Sequence, residues 1–171
     1  MRTKILVLVA LCMAVAFPLL AQEDITQSPS CKYCGMDRAK WGHSRMYLEY
    51  DDGTAVGTCS LHCAAVDLAL TIDKTTRVMN VADFKSKKLV DAEKATWVVG
   101  GSQAGVMTKR AKWAFENRTD ADAFVKENGG SIVAFDEAIK NAYEDMYQDT
   151  KMIRERRQMK RKAAMEHQHH K

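Results

Sequence analysis

The sequence predicts an α+β protein in which two small, similar β-α-β units are followed by a C-terminal helical tail. Two observations predict this fold class. Short strand-like segments alternate with helix-like segments in both halves of the chain. The order strand, capping residue, helix and strand also occurs twice, first over residues 55–81 and again over residues 112–135. At 171 residues, 46% of them hydrophobic, the chain is long enough for one ordinary domain or two small ones.

Residues 1–21 have the layout of a cleavable signal peptide. Arg2 and Lys4 precede an apolar run of 16 residues, and Ala21 ends the segment before polar residues begin. Such a run is shorter than the roughly 20 residues that span a bilayer as a helix. We therefore expect cleavage after Ala21 and export to the periplasm or another compartment outside the cytoplasm. Cys12 lacks the preceding small residue of a lipobox, so no lipid anchor is expected.

A polar linker over residues 22–30 leads to a cysteine-rich unit, which we predict to span residues 31–95. Its first element is a β-hairpin over residues 44–58, because apolar and polar residues alternate up to an Asp-Asp-Gly turn. A strand over residues 77–81 completes the β-α-β order of this unit.

Between the hairpin and that strand, the pattern predicts a short helix. Thr58 or Ser60 is suited to cap its N-terminus, because a hydroxyl can accept a hydrogen bond from a free backbone N–H of the first turn. Apolar residues at helical spacing predict a stripe on one face of this helix. The stripe consists of Cys59, Cys63, Val66 and Leu70.

The second unit is predicted to span residues 96–148 and to repeat the order of the first. Thr119 is the expected helix cap, and Gly129-Gly130 is expected to end the helix because glycine readily adopts the conformation that follows a helix C-terminus. The predicted elements are strands over residues 96–99, 112–115 and 131–135, a helix over 120–127, and a long helix from 136 with Ile139, Ala142, Tyr143 and Met146 on one face.

The charge of the chain is unevenly distributed. Residues 151–171 contain eight lysine or arginine residues and two acidic ones, whereas residues 22–150 contain 16 basic and 20 acidic residues. The tail, residues 149–171, is thus basic and also contains methionine and histidine. Because export makes nucleic acid an unexpected partner, we expect this tail to aid solubility or to contact an anionic surface, for example a membrane.

Four cysteines remain after the signal peptide: Cys31, Cys34, Cys59 and Cys63. The first two form a CxxC motif, and 24 residues separate the second from the third. An even number of cysteines in an exported protein is typical of two disulfides. The same two pairs, brought together by a hairpin and a helix, would also place four sulfurs at the corners of a tetrahedral zinc site.

A third interpretation is a site for a soft monovalent metal ion, chiefly Cu(I), because thiolate and thioether ligands select it over harder ions. Met36 follows the CxxC motif, His62 lies between Cys59 and Cys63, and Met107 lies in a glycine-rich loop. A thioether has no proton to lose and forms no disulfide, so it binds metal where thiols are liable to oxidation. The candidate metal ligands are therefore Cys31, Cys34, Met36, Cys59, His62, Cys63 and Met107.

A thiol-disulfide oxidoreductase is the competing functional class, since a CxxC pair at a helix N-terminus can attack and resolve disulfides. Gly35-Met36 follows the pair where a helix should begin, and no proline lies after Pro29 to supply the cis-proline of a thioredoxin-like fold. Motifs for phosphate loops, serine hydrolases, HExxH zinc proteases and haem attachment are absent from the sequence. We therefore expect a metal-binding protein and no enzyme activity.

The cysteine and methionine pattern, with CKYCGM from Cys31 and YDDGTAVGTC from Tyr50, resembles the NosL family. Members of this family are copper-binding accessory proteins of nitrous oxide reductase. The resemblance covers about Cys31 to Glu137. It implies an extracytoplasmic Cu(I) chaperone with two related α+β units similar to the organomercurial lyase fold. The matching motifs are CKYCGM from Cys31, YDDGTAVGTC from Tyr50, VADF from Val81, VDA from Val90, WVVG from Trp97, Met107-Thr108 and the segment from Phe115 to Gly130.

The resemblance also implies which residues bind metal and which partner receives it. The positions that match the family's pattern are Cys34, Met36, Cys59 and Met107, with Cys31 beside them. Cys63 adds a thiol, and the spacing of the last three cysteines resembles the TRASH-type heavy-metal knuckle. The expected function is a Cu(I) metallochaperone that delivers copper to nitrous oxide reductase, another copper enzyme or its assembly machinery by ligand exchange. A structural Zn(II) module is the alternative.

Overall fold

The computed structural model describes residues 23–169, with side chains described as far as Glu166. The predicted signal peptide lies outside these residues. The described elements, in chain order, are α1 (Glu23–Gln27), β1 (Met46–Tyr50), β2 (Ala55–Thr58), α2 (Leu61–Leu70), β3 (Thr76–Ala82), β4 (Leu89–Asp91), β5 (Thr96–Val99), β6 (Lys112–Phe115), α3 (Arg118–Asn128), β7 (Ser131–Val133) and α4 (Phe135–His169).

The strands form two antiparallel sheets, with the order β2-β1-β3-β4 in the first and β6-β5-β7 in the second. In each sheet the first strand of the unit is central. Its hairpin partner lies on one side, and the strand that follows the helix lies on the other. The two units thus share one ββαβ arrangement. The predicted α+β class, with two similar units and a C-terminal helix, is confirmed.

The hairpin of the first unit forms as its alternating pattern predicts. Met46 pairs with Thr58 across β1 and β2, and Gly53 takes a positive φ of 81° in the turn. Met46, Leu48 and Tyr50 of β1 are buried, while the residues between them are partly exposed. β1 therefore places one face in the core and fixes the end of β2 that leads to the second pair of cysteines.

Several boundaries differ from the sequence prediction. α1 lies inside the predicted polar linker, and β4 has no predicted counterpart. The strand predicted over residues 131–135 ends at Val133, because Phe135 is already the first residue of α4. α3 has Asn117 rather than Thr119 at its N-cap. Ser60 is the N-cap residue of α2, although its side chain makes no capping hydrogen bond.

The apolar stripe predicted for α2 is wrong at its C-terminal end. Leu70 is 68% exposed, and Val66 is only partly buried. α2 is covered from two sides, by the first sheet and by α4, so its buried surface is wider than one stripe and lies mainly in its first two turns. The buried residues of α2 are Leu61, His62, Cys63, Ala64, Ala65 and Asp67.

The core consists of two apolar clusters. The first lies between the first sheet, β5, α2 and α4, and includes Leu48, Trp97 and Phe135. The second includes Trp113 and Phe115 of β6 and also contains three buried cysteines. Six of the seven predicted metal ligands therefore lie around the second cluster: Cys31, Cys59 and Cys63 within it, and Cys34, Met36 and Met107 packed against it.

A parallel bridge between Asp83 and Ala114 joins the two units. The backbone N–H of Phe84 donates to the carbonyl of Ala114 at 2.8 Å, and the Asp83 carboxylate accepts the N–H of Glu116 at 2.9 Å. The end of β3 is thereby held against β6. This connection brings the cysteine-rich unit next to the aromatic residues of the second unit.

α4 is 35 residues long and packs against α2 and β5. On its predicted apolar face, Ala142 is buried and Ile139 and Met146 pack against the first cluster, whereas Tyr143 is 43% exposed. In the part of the chain that the structure describes, no helix has the length and apolar character to cross a membrane.

Candidate metal centre

Four thiols gather at one point of the structure. The Sγ atoms of Cys31, Cys34, Cys59 and Cys63 all lie within 4.8 Å of one another. The sulfur atoms of Cys34 and Cys59 are 3.4 Å apart, and those of Cys59 and Cys63 are 3.8 Å apart. Four sulfurs bound to one metal ion at ~2.3 Å in a tetrahedron would be about 3.8 Å apart. The observed spacing therefore suits a single soft metal ion.

All four cysteines are free thiols in this structure, so the interpretation as two disulfides is not supported. Cys31, Cys59 and Cys63 are buried, with at most 2% of each residue exposed, whereas Cys34 is partly exposed. The cluster is thus closed on most sides and accessible at Cys34.

The CxxC motif forms a tight turn rather than the beginning of a helix. The Cys31 N–H donates to the carbonyl of Met36 at 2.9 Å, and the Gly35 N–H donates to the carbonyl of Cys31 at 2.9 Å. Gly35 has a φ of 73°, which glycine adopts without steric cost. The turn is attached to β2, because the Lys32 N–H donates to the carbonyl of Gly57 at 3.2 Å. This geometry does not favour an oxidoreductase, whose nucleophile lies at a helix N-terminus.

The second pair of cysteines lies where β2 passes into α2. Cys59 directly follows the strand, and Cys63 lies in the first turn of the helix. Ser44 fixes this junction, since its hydroxyl donates to the Cys59 carbonyl at 2.8 Å. Unpaired backbone N–H groups give a helix N-terminus a partial positive charge, which stabilises thiolates placed nearby.

A buried carboxylate connects the two cysteine pairs. Asp67 of α2 is fully buried, and it accepts hydrogen bonds from Lys32 at 2.9 Å and from the Tyr33 hydroxyl. Lys32 and Tyr33 are the two residues between Cys31 and Cys34. Asp67 therefore holds the CxxC turn against the helix that carries Cys63.

Asp67 also accepts a hydrogen bond from the hydroxyl of Tyr50 on β1. Burial alone would raise the pKa of Asp67, but the hydrogen bonds from Tyr33, Tyr50 and Lys32 lower it, so the carboxylate is charged at neutral pH. Burial and the bond to Asp67 raise the pKa of both tyrosines. The tyrosines thus remain donors, and the connection is stable over a wide pH range.

A second buried network supports the turn from the other side. The Asp24 carboxylate of α1 accepts from Arg38 at 2.7 Å and from Arg45 at 2.9 Å. Arg38, which is fully buried, also donates to the carbonyls of Ser28 and Thr58. α1, the chain before Cys31 and the end of β2 are therefore held together. The sequence prediction missed this network because its members are far apart in the chain.

Met36 and Met107 are partly buried and pack against the same apolar cluster as the cysteines. Met107 has a φ of 61°, a left-handed conformation that is uncommon for residues other than glycine. Its loop is fixed on α4, because the Lys109 N–H donates to the Asp149 carboxylate at 3.0 Å. Unusual backbone conformations of this kind often occur at functional sites. The loop of the second unit thus brings a thioether to the apolar surroundings of the thiols.

His62 does not join the group of ligand atoms that the four cysteines form. Its side chain is buried, and Nδ1 lies 3.5 Å from Oδ2 of Asp149 on α4. Burial lowers the pKa of His62, although the charge of Asp149 acts in the opposite direction. The structure therefore places His62 between α2 and α4, apart from the group of four thiols.

The four thiols affect one another's ionisation. Hydrogen bonds from the three neighbouring thiols lower the pKa of Cys31, and the pKa of Cys34 is lowered too. Hydrogen bonds with Cys31 and Cys34, together with burial, raise the pKa of Cys59 and Cys63. Without a cation the cluster resists full deprotonation. A bound metal ion would compensate the charge and release protons.

Aromatic side chains line the second apolar cluster on the side of the second unit. Phe84 packs against Trp113 and Phe124, with ring centroids 5.1 Å and 5.0 Å apart, and His43 lies 5.4 Å from Trp113. These rings belong to or pack against the cluster that contains the cysteines. They exclude water, which strengthens electrostatic interactions at the site. The sequence alone did not indicate this role for any of them.

Together, the fold and the site define an α+β protein with a four-cysteine centre suited to a soft metal ion. The NosL family model matches residues 22–143, and the chain therefore belongs to the NosL family. This confirms the resemblance seen in the sequence motifs.

One solved structure illustrates the similarity in fold. The crystal structure of the copper chaperone NosL from Shewanella denitrificans is 24% identical and has a TM-score of 0.53, covering 64% of this chain and 89% of that one. A comparison with curated proteins gives no match. α4 continues well beyond residue 143, where the family match ends.

Proposed function

We propose that this protein is an extracytoplasmic metallochaperone that binds Cu(I) and hands it to a copper-accepting protein. The observation that carries the proposal is the convergence of four thiols within 4.8 Å of one another. Membership of the NosL family supports it, and the solved structure of similar fold is described as a copper chaperone. The ligands we propose are Cys31, Cys34, Cys59 and Cys63, assisted by Met36 and Met107.

The donor set favours Cu(I) over harder metal ions. Thiolates and thioethers are soft ligands, and the cluster presents both types on one apolar surface. Cu(I) is the protein's cargo here, so the site has to release it as well as bind it. A partly exposed Cys34 beside three buried cysteines gives the incoming ligand a side from which to approach.

Transfer would proceed by ligand exchange. A thiol or thioether of the acceptor approaches at Cys34 and binds the ion while buried ligands still hold it. Each further acceptor ligand then replaces one ligand of this protein. An acceptor thiol gives up its proton as it binds, and the thiolate that it displaces takes up a proton. The ion is never released to water, and no covalent bond of a substrate is broken, so the proposed role is that of a carrier and not of an enzyme.

The recipient that we propose is nitrous oxide reductase, another copper enzyme or the machinery that assembles it. Family membership supports this class of recipient. The proposed place of action is the periplasm or another compartment outside the cytoplasm, in agreement with the predicted signal peptide.

A structural zinc site is the second candidate, because the sulfur separations of 3.4 Å and 3.8 Å also suit tetrahedral Zn(II). The two functions make different predictions for the thioethers. Closed structural zinc sites use four protein ligands and would not need Met36 or Met107.

The test is competition of the reduced protein with chelators for Cu(I) and for Zn(II), using the variants Met36→Leu and Met107→Leu. Leucine is close to methionine in size, so packing should change by less than ~1.5 kcal/mol. We expect each variant to weaken Cu(I) binding about tenfold while leaving Zn(II) binding unchanged. Met146→Leu is the matched control, since Met146 packs against the other cluster. Unchanged Cu(I) binding in both variants would support the zinc site instead.

A further inference from the structure

The C-terminal part of α4 carries an exposed positive charge. Residues 151–166, which we call the basic arm, contain seven lysine or arginine residues and two glutamates. The arm lies beyond the region that matches the family model. Its cationic residues are all exposed: Lys151, Arg154, Arg156, Arg157, Lys160, Arg161 and Lys162.

The cations of the arm are not neutralised by the protein itself. Elsewhere, Lys74 pairs with Asp52 at 2.7 Å, and Arg110 and Lys112 both pair with Asp145. Among the side chains described up to residue 166, by contrast, no acidic group forms an ion pair with any of the seven cations of the arm. Their charge is therefore available to an external anionic surface.

The arm adjoins the accessible side of the thiol cluster. The Arg157 guanidinium donates to the backbone carbonyl of Cys34 at 3.2 Å, across 123 residues of sequence. Cys34 is the one thiol of the four that is partly exposed. Further back on α4, Met152 is buried, and Asp149 fixes the loop of Met107. Through Arg157, the basic arm thus reaches the turn that carries the partly exposed thiol.

We propose that the basic arm is a docking surface for an acidic face of the protein that exchanges copper with this site. This inference rests on the proposed function, because ligand exchange requires the acceptor to reach the ion at Cys34. Cations beside that point attract an acidic acceptor and orient its ligands before contact. The effect extends over about 8 Å at physiological ionic strength.

An acidic protein explains the arm better than a membrane does. Helices that bind in a membrane interface present large apolar side chains opposite their basic face. The large exposed apolar side chains of the arm are Met159 and Met165, and basic residues surround Met159 in sequence. The arm also contacts the turn that carries Cys34 instead of presenting a separate apolar face.

Two pairs of synthetic peptides test the docking surface. In the first pair, an identical two-cysteine acceptor motif is flanked by glutamates or by glutamines, and transfer of Cu(I) from the loaded full chain is timed by stopped flow. In the second pair, serines replace the cysteines, and binding to the metal-free protein is measured by fluorescence anisotropy. In the first pair, we expect the glutamate peptide to receive Cu(I) about tenfold faster than the glutamine peptide at low ionic strength. In the second pair, the glutamate peptide should bind more tightly than the glutamine peptide. Both preferences should fall as salt rises.

Matched variants locate the effect on the arm. Arg154→Gln/Arg161→Gln should reduce the preference for the glutamate peptide at least threefold. Lys88→Gln/Lys126→Gln removes the same charge from exposed positions of the body and should leave the preference intact. None of these four residues contacts the thiol cluster, so Cu(I) affinity should be equal in all the proteins.

The outcomes separate this inference from the proposed function. If the protein fails to bind Cu(I), the proposed function is wrong, while the serine peptides still measure docking directly. If it binds Cu(I) but treats the two peptides of each pair alike, or if the arm variant keeps the full preference, the docking surface is refuted. Binding to vesicles of phosphatidylglycerol and phosphatidylethanolamine is the last measurement. If the two peptides of each pair give equal results, and the protein binds vesicles but the arm variant does not, the partner of the basic arm is a membrane surface and not an acidic protein.

Discussion

The ionisation of individual thiols determines how this site responds to pH. Cys59 and Cys63 are buried, and hydrogen bonds with Cys31 and Cys34, together with this burial, raise the pKa of both thiols. Both buried thiols are therefore protonated in the metal-free protein at neutral pH. A metal ion that binds them as thiolates has to displace their protons.

We predict that the apparent affinity for Cu(I) rises with pH between 6 and 8. The sign follows from competition, because protons and the metal ion bind the same sulfurs and fewer protons compete as pH rises. The measurement is chelator competition at a series of pH values, with proton release followed by calorimetry in buffers of different ionisation enthalpy. Affinity that does not change with pH would show that the buried thiols do not become ligands.

Residue patterns in the sequence identified the candidate donors but not their geometry. The CxxC motif, Cys59, Cys63, Met36 and Met107 were all predicted, and the structure places them around one apolar cluster. His62 was also predicted, because it lies between two cysteines in sequence. On a helix, however, adjacent residues point in different directions, and His62 faces α4 while Cys63 faces the cluster.

At the scale of elements, the site depends on how the CxxC turn is held against α2. Asp67 receives hydrogen bonds from Lys32 and Tyr33 of the turn and from Tyr50 of the sheet. These three donors come from two other elements, so a single carboxylate aligns the turn, the helix and β1. The sequence does not reveal this role, because a helical aspartate is usually exposed.

We predict that Asp67→Asn weakens Cu(I) binding about tenfold and destabilises the metal-free protein by about 1–3 kcal/mol. Asparagine keeps the size of the side chain but loses the charge that attracts Lys32 and one acceptor for the tyrosines. Chelator competition and urea unfolding measure the two effects.

Asp73→Asn is the matched control, since Asp73 is exposed and close in sequence to Asp67. It should change neither quantity by more than the error. Wild-type Cu(I) affinity in Asp67→Asn would mean that the turn positions Cys31 and Cys34 without help from α2.

Local patterns predicted most of the elements. The hairpin, β5, β6, α3 and the start of α4 follow from alternation, turn residues and helical spacing. The failures depend on contacts that are distant in sequence. α1 is held by the ion pairs of Asp24 with Arg38 and Arg45, and α2 buries a wide surface because α4 covers its second side.

In the whole molecule, two ββαβ units meet around the candidate metal centre. Buried ion pairs fix α1 and the segment that precedes β1. Asp24 is the shared partner of two arginines, each no more than 1% exposed. Breaking a buried ion pair is costly because an uncompensated charge remains. The repeated order of elements predicted the fold class, but neither the docking of the two units nor this charge network could be predicted from one sequence.

We predict that Asp24→Asn destabilises the protein by about 3–5 kcal/mol. The substitution leaves Arg38 and Arg45 buried with backbone carbonyls as their remaining partners. Urea unfolding of the reduced, metal-free protein provides the measurement. Asp51→Asn, at an exposed turn position, is the control. Stability equal to wild type would contradict a structural role for the network.

Copper K-edge X-ray absorption of the protein loaded with one equivalent of Cu(I) determines whether the ion binds at the converging sulfur atoms. We predict a first coordination shell made of sulfur alone, consistent with the thiols and thioethers gathered around the second cluster. A first shell that contains nitrogen or oxygen donors, or copper that is lost on desalting, would contradict Cu(I) binding by these sulfur atoms.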